Sequence, residues 1–131
     1  MRLYLDTAPV IYTVEQVAPY AAIVDARLAT EDLIFVVSEL TLLECRVQPM
    51  RNGDTDLLQD FDEFFANAVS KVATLSRDVL EKATEIRAHH GFKTPDSIHL
   101  AAALVSSCDA FYTNNSRLNR CPDLTIDVVG T

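Results

Sequence analysis

Short apolar runs recur along the chain, each bounded by polar or turn residues. Residues 2–5, 33–37, 72–75, 110–113 and 125–129 are such runs. They predict short strands, apolar on both faces, as in buried parallel sheets. Between them apolar residues return at intervals of three and four, which predicts helices over 8–14, 19–29, 38–48, 56–68, 76–90 and 95–106. The punctuation agrees. Ser38 precedes the third helix as an N-cap. Arg51-Asn52-Gly53-Asp54 reads as a turn, Gly91 closes the fifth helix as a C-cap, and Thr94 caps a sixth that opens on Pro95. Short strands alternating with helices predict an α/β fold whose parallel sheet is covered on both faces. Ligands of such sheets bind beyond the carboxyl ends of the strands.

Composition narrows the picture. A length of 131 residues with 49% hydrophobic suits one domain spanning 1–131. The charged fraction of 23% is ordinary for a folded chain and argues against disorder. Eleven Lys and Arg against nineteen Asp and Glu give a net charge of -8. That excludes a broad basic surface for gripping nucleic acid. It leaves room for a site of carboxylates and metal ions, or for a basic partner. The three cysteines, 45, 108 and 121, form no CxxC pair and suggest reduced thiols in a cytosol. Asp6 ends the first apolar run before a signal-peptide core can form, and the longest run, 100–105, is far short of a membrane span. A cytoplasmic chain without membrane association is therefore expected.

The candidate chemistry lies at the predicted strand and helix ends. Asp6 and Thr7 follow the first strand; taken alone, either is a helix cap. Glu44 lies two turns into the helix after the second strand; taken alone, it is a solvent-facing residue of an amphipathic helix. Asp96 sits in the first turn of an otherwise apolar helix, where the helix dipole favours a carboxylate. A helix apolar all round is buried, so Asp96 must point into a polar cleft. Thr113-Asn114-Asn115 closes the fourth strand at the same rim, or forms a plain turn. Carboxylates packed this way repel unless a cation neutralises them. Oxygen donors without a His or Cys cluster point to Mg²⁺ or Mn²⁺ and to phosphodiester cleavage.

These segments resemble those of PIN-domain ribonucleases, most closely the VapC-type toxins of toxin–antitoxin pairs. The matching pieces are Leu3-Tyr4-Leu5-Asp6-Thr7, Ser38-Glu39-Leu40-Thr41-Leu42-Leu43-Glu44, Thr94-Pro95-Asp96-Ser97-Ile98-His99-Leu100-Ala101-Ala102-Ala103 and Asp109-Ala110-Phe111-Tyr112-Thr113-Asn114-Asn115. Their order spans nearly the whole chain, and the Pro-Asp-x-Ile-His-Leu-Ala-Ala piece is the most specific. The resemblance implies a three-layer α/β/α sandwich with a central parallel sheet. It implies metal-dependent RNA cleavage with Asp6, Glu44 and Asp96 as catalytic acids and metal ligands, supported by the hydroxyls of Thr7 and Thr113. It also implies an antitoxin partner and a homodimer. Where the family often carries a fourth acid, this chain has Asn115, a weaker oxygen ligand. Metal affinity, especially for a second ion, is then expected to be lower than with Asp. The alternative is a weakened or inactive PIN-like binding module.

Arg46, Lys93 and Arg117, with Arg51 and Arg120, flank the acidic motifs and are candidate RNA contacts; a solvated face is the competing reading. His99 shares the helix face of Asp96 and reads as a packed core histidine, with a hydrogen bond to the acids as the alternative. Phe61, Phe64 and Phe65 read as core, and Cys45 beside Glu44 as an inert thiol. Asp109 precedes Thr113 by about 13 Å of strand and is expected to set up the strand rather than bind metal. A phospho-acceptor receiver domain also has an Asp after its first strand, but it needs a late Lys, and none follows Lys93.

Overall fold

The computed structural model describes residues 1–30 and 32–131. The strands are β1 (Arg2–Leu5), β2 (Ile34–Ser38), β3 (Lys71–Ala73), β4 (Ala110–Thr113) and β5 (Thr125–Val128). The helices are α1 (Thr7–Glu15), α2 (Tyr20–Leu28), α3 (Glu39–Arg51), α4 (Thr55–Asn67), α5 (Arg77–His90) and α6 (Thr94–Val105), with a 3-10 turn at Ser116–Arg120. The strands form one parallel sheet in the order β3-β2-β1-β4-β5. Leu3 pairs with Phe35 on one side and with Ala110 on the other.

Alternation along the strands divides the core into two layers. Tyr4, Val36 and Phe111 face Ile86 of α5 and Leu100 of α6. Leu3, Leu5, Val37 and Tyr112 face Val10 of α1, Val24 of α2, Cys45 of α3 and Phe61 of α4. The fold is thus the expected three-layer α/β/α sandwich. No helix among the described residues is long and apolar enough to cross a membrane. All three cysteines are unpaired.

Several boundaries differ from the sequence reading. Ser38 both ends β2 and caps α3, where it forms a reciprocal capping box with Thr41. Helix α3 does not stop at Gln48 but runs through Pro49 to Arg51. Pro49 lies in its last turn, where the helix forfeits a single ladder hydrogen bond. Lys93, not Thr94, occupies the N-cap of α6, and its carbonyl accepts from Ser97 N at 2.9 Å. Gly91 closes α5 at φ 73°, as read from the sequence. Asp109 fixes the start of β4, its Oδ2 accepting from Arg2 N at 2.7 Å.

Phe61 and Phe65 stack within the second layer, and Phe64 meets Phe65 edge-on. Phe61 is fully enclosed, so its truncation leaves a cavity that rigid neighbours cannot fill. Phe61→Ala is expected to cost about 3–5 kcal/mol. Urea denaturation checks this as a lower midpoint at unchanged slope.

Candidate active site

The chain passes from β1 to β2 and β3 on one side of the sheet, then returns to β4 on the opposite flank of β1. Such a reversal opens a crevice beyond the carboxyl ends of the two strands that part there. Asp6 and Thr113 stand at those ends, and they are joined: Thr113 Oγ1 donates to Asp6 Oδ2 at 2.8 Å. Asp6 Oδ1 accepts from Thr7 N at 2.8 Å, so Asp6 also caps α1. The capping and site readings of Asp6 are therefore compatible, one for each oxygen.

Glu44 reaches this point from α3. Its Oε1 accepts from Thr7 Oγ1 at 2.6 Å and lies 2.6 Å from His99 Nε2. His99 Nε2 is also 3.6 Å from Asp6 Oδ1. Burial alone would raise the Glu44 pKa, but hydrogen bonds from His99 and Thr7 outweigh it, and the carboxyl is held below its ordinary range. Asp96 moves the other way. Partial burial, then the charges of Asp6 and Glu44, push its carboxyl up, against the pull of His99 and Lys93. The structure thus brings Asp6, Glu44, Asp96, Thr7 and Thr113 into one electrostatic unit.

Asp96 opens onto a polar cleft of about 370 Å³, lined also by Lys93, Asn114, Asn115, Arg117 and Arg120. The Arg120 guanidinium lies over the Phe92 ring at 4.6 Å and donates to the His90 carbonyl at 3.3 Å. Asn115 shares this cleft, but its Oδ1 accepts from Arg117 N at 3.1 Å, capping the 3-10 turn. Arg46 is not at the cleft: it pairs with Asp62 of α4 at 3.3 Å and lies in a groove with Leu42 and Leu43. Cys45 faces the core, and burial followed by the Glu44 charge pushes its thiol far up, as an inert side chain requires.

His99 is the residue that sequence reading placed too modestly. It is buried, as expected, yet both ring nitrogens have partners: Nε2 meets Glu44, and Nδ1 lies 2.7 Å from the Tyr4 hydroxyl. In the sequence Tyr4 reads as part of an apolar strand, with no polar role. Its proximity to His99 joins residues 95 positions apart, and no local pattern reports that.

The donor set suits a hard divalent cation. The site offers carboxylate oxygens, no thiolate and no imidazole cluster, and the charges of Asp6 and Glu44 add to burial in pushing the Asp96 carboxyl up. Among the described residues no three His, Cys, Asp or Glu side chains stand close enough to hold an ion alone. Mg²⁺ does not need three, because it is held through one or two carboxylates together with waters and substrate phosphates.

The site is thus a group of carboxylates at the switch point of a parallel α/β sandwich, where ligands of such sheets bind. The chain belongs to the PIN domain family, whose profile matches residues 3–124. No curated protein sequence matches significantly. Among solved structures the chain is similar to VapBC2 from Rickettsia felis bound to a promoter DNA fragment, at 16% identity and TM-score 0.78 over 98% of both chains. It is similar to a toxin–antitoxin complex from Klebsiella pneumoniae, at 18% identity and TM-score 0.71 over 94% of this chain and 95% of that one. It is also similar to Mycobacterium tuberculosis VapC20, a sarcin–ricin loop cleaving toxin, at 14% identity and TM-score 0.70 over 83% and 86%.

The raised Asp96 makes a stability prediction. A carboxyl whose folded pKa exceeds its unfolded value destabilises the fold above that folded pKa, and the cost fades as pH falls through it. Asp96→Asn is therefore expected to raise the melting temperature at neutral pH in metal-free buffer, with the gain shrinking on acidification. Thermal melts of both proteins across pH decide it; an unchanged or lower neutral-pH melting temperature would contradict the electrostatic account.

Proposed function

We propose that the chain, as one PIN domain over residues 1–131, is a metal-dependent endoribonuclease and the toxin of a toxin–antitoxin pair. The observation that carries this reading is the convergence of Asp6, Glu44 and Asp96 at the β1/β4 crevice, with Thr7 and Thr113 fixing two of them. Asp6, Asp96 and Glu44 are the proposed ligands, with Asn115 a weaker one if its side chain leaves Arg117 N. Bound there, Mg²⁺ or Mn²⁺ supplies Lewis-acid polarisation of a phosphate oxygen and an acidified water. The chain's own part is positioning. Thr113 and the α1 N-terminus fix Asp6, and Thr7 fixes Glu44, so the carboxylates need little reorganisation. Lys93 and Arg117 hold the RNA strand along the cleft that leads to Asp96.

A cytoplasmic location, a homodimer and an antitoxin partner complete the proposal. Support for the partner comes from the structural neighbours, two of them described as toxin–antitoxin assemblies. An antitoxin segment that places an Arg among the carboxylates would supply the positive charge they lack. A second reading, a module that binds without cutting, draws on Asn115, whose oxygen is engaged by the backbone. On that reading, Asn115→Asp creates cleavage that the natural chain lacks.

The deciding experiment incubates the protein with a pool of structured RNAs in Mn²⁺ or Mg²⁺, beside EDTA and Asp96→Asn controls. Cleavage is expected, abolished by EDTA and reduced by at least about 100-fold in Asp96→Asn, the scale of losing one catalytic group. Absence of cleavage together with absence of Mn²⁺ binding would sink the nuclease reading. The strand path has its own test. Lys93→Ala and Arg117→Ala are each expected to weaken RNA binding and to reduce the salt slope by about 1. Arg46→Ala, away from the cleft, leaves both unchanged.

A further inference from the structure

We infer that His99 is a positioning residue for Glu44, held against Tyr4 so that Nε2 donates to the Glu44 carboxylate. The inference deepens the nuclease reading and rests on it for the role of Glu44. Its basis is a proton inventory. An ionised carboxylate only accepts hydrogen bonds. His99 Nε2 lies 2.6 Å from Glu44 Oε1, so that nitrogen must carry the hydrogen. Nδ1 lies 2.7 Å from the Tyr4 hydroxyl, which holds the ring from its other side. That hydroxyl donates to Ser38 Oγ at 2.9 Å. Ser38 Oγ in turn accepts from the Thr41 backbone N–H in the α3 capping box.

The line Ser38–Tyr4–His99–Glu44 thus runs from β2 through β1 and α6 to α3 without an unmet group. His99, Tyr4 and Ser38 are almost wholly enclosed. Three polar side chains in such a place cost desolvation unless every member is satisfied. Packing also sets the ring: Tyr4 stacks on Phe111 at 5.0 Å and meets His99 edge-on at 5.8 Å. The consequence is selective. Thr7 and His99 both engage Glu44 Oε1, and among the described residues Oε2 has no hydrogen-bond partner. His99 touches no reacting atom in this account; it acts through Glu44.

The test compares the native protein, His99→Gln and His99→Leu. Gln places its amide nitrogen as many bonds from the backbone as imidazole Nε2, so it can still donate to Glu44. Leu suits an apolar core better but donates nothing. A purely structural role therefore favours Leu, whereas a positioning role favours Gln. Binding of Mn²⁺ alone, followed by electron paramagnetic resonance without RNA, is expected to weaken by about 10- to 100-fold in His99→Leu and by only a few-fold in His99→Gln. In the native protein, ¹⁵N resonances of labelled histidine are expected to show Nε2 protonated, with the His99→Gln spectrum assigning the signal. Equal Mn²⁺ affinity in His99→Leu and the native chain, a Gln variant as weak as Leu, or an Nε2 without a proton would each overturn the inference. Failure of the native chain itself to bind Mn²⁺ overturns the metal-dependent reading and the positioning role with it. Should His99→Leu not fold, the native-protein Nε2 resonance and the Gln variant still decide.

Discussion

Carboxylates brought together at one crevice repel one another, and the rest of the site is organised around holding them there. The protein does this largely with neutral donors. Thr113, Thr7 and a backbone amide take up three of the four oxygens of Asp6 and Glu44, one of these jointly with His99. No lysine or arginine ion pair to these acids occurs among the described residues. Neutral donors fix direction without cancelling charge. Asp6 and Glu44 are therefore oriented without a Lys or Arg partner, and the Asp96 carboxyl is pushed up first by its own partial burial and then by the charges of Asp6 and Glu44.

The topology explains why these residues meet. Asp6 and Thr113 are 107 positions apart, yet they follow adjacent strands and lie at the same end of both. Parallel pairing fixes that, since every strand of the sheet presents its carboxyl end on the same side. The chain's acidity is also unevenly arranged. Arg27, Arg46, Arg77 and Lys82 are engaged with acids elsewhere, whereas Lys93, Arg117 and Arg120 gather at the cleft beside Asp96. A net charge of -8 therefore coexists with a local basic wall, which composition alone could not show.

The strands were legible because each is a short apolar run, and the central ones are buried on both faces. The helices were legible from their periodicity, and the acids from their places at element ends. What was not legible depends on contacts between elements. Pro49 looks like a stop signal, and only its position in the last turn of α3 removes the conflict. Asn115 looks like a vacant oxygen ligand until the 3-10 turn claims it. His99 looks like a core residue because its neighbours Ile98 and Leu100 are apolar, and it is buried; the partners that give it meaning, Tyr4 and Glu44, lie on other elements. Arg46 stands beside Glu44 in sequence, but helical geometry turns it toward α4.

The central place of β1 has a dynamic consequence. Its residues contribute to both core layers, Tyr4 to one and Leu3 and Leu5 to the other, and it is bonded to a strand on each side. The amide of Asp6 itself donates to the Tyr112 carbonyl at 3.0 Å. Exposing this segment requires separating both layers at once, so its amides exchange with solvent only through openings close to global unfolding. The rim that carries Asn115 and the 3-10 turn has no such double anchorage. Fluctuations that admit or release a bound molecule can therefore occur at the rim while the first acid keeps its place.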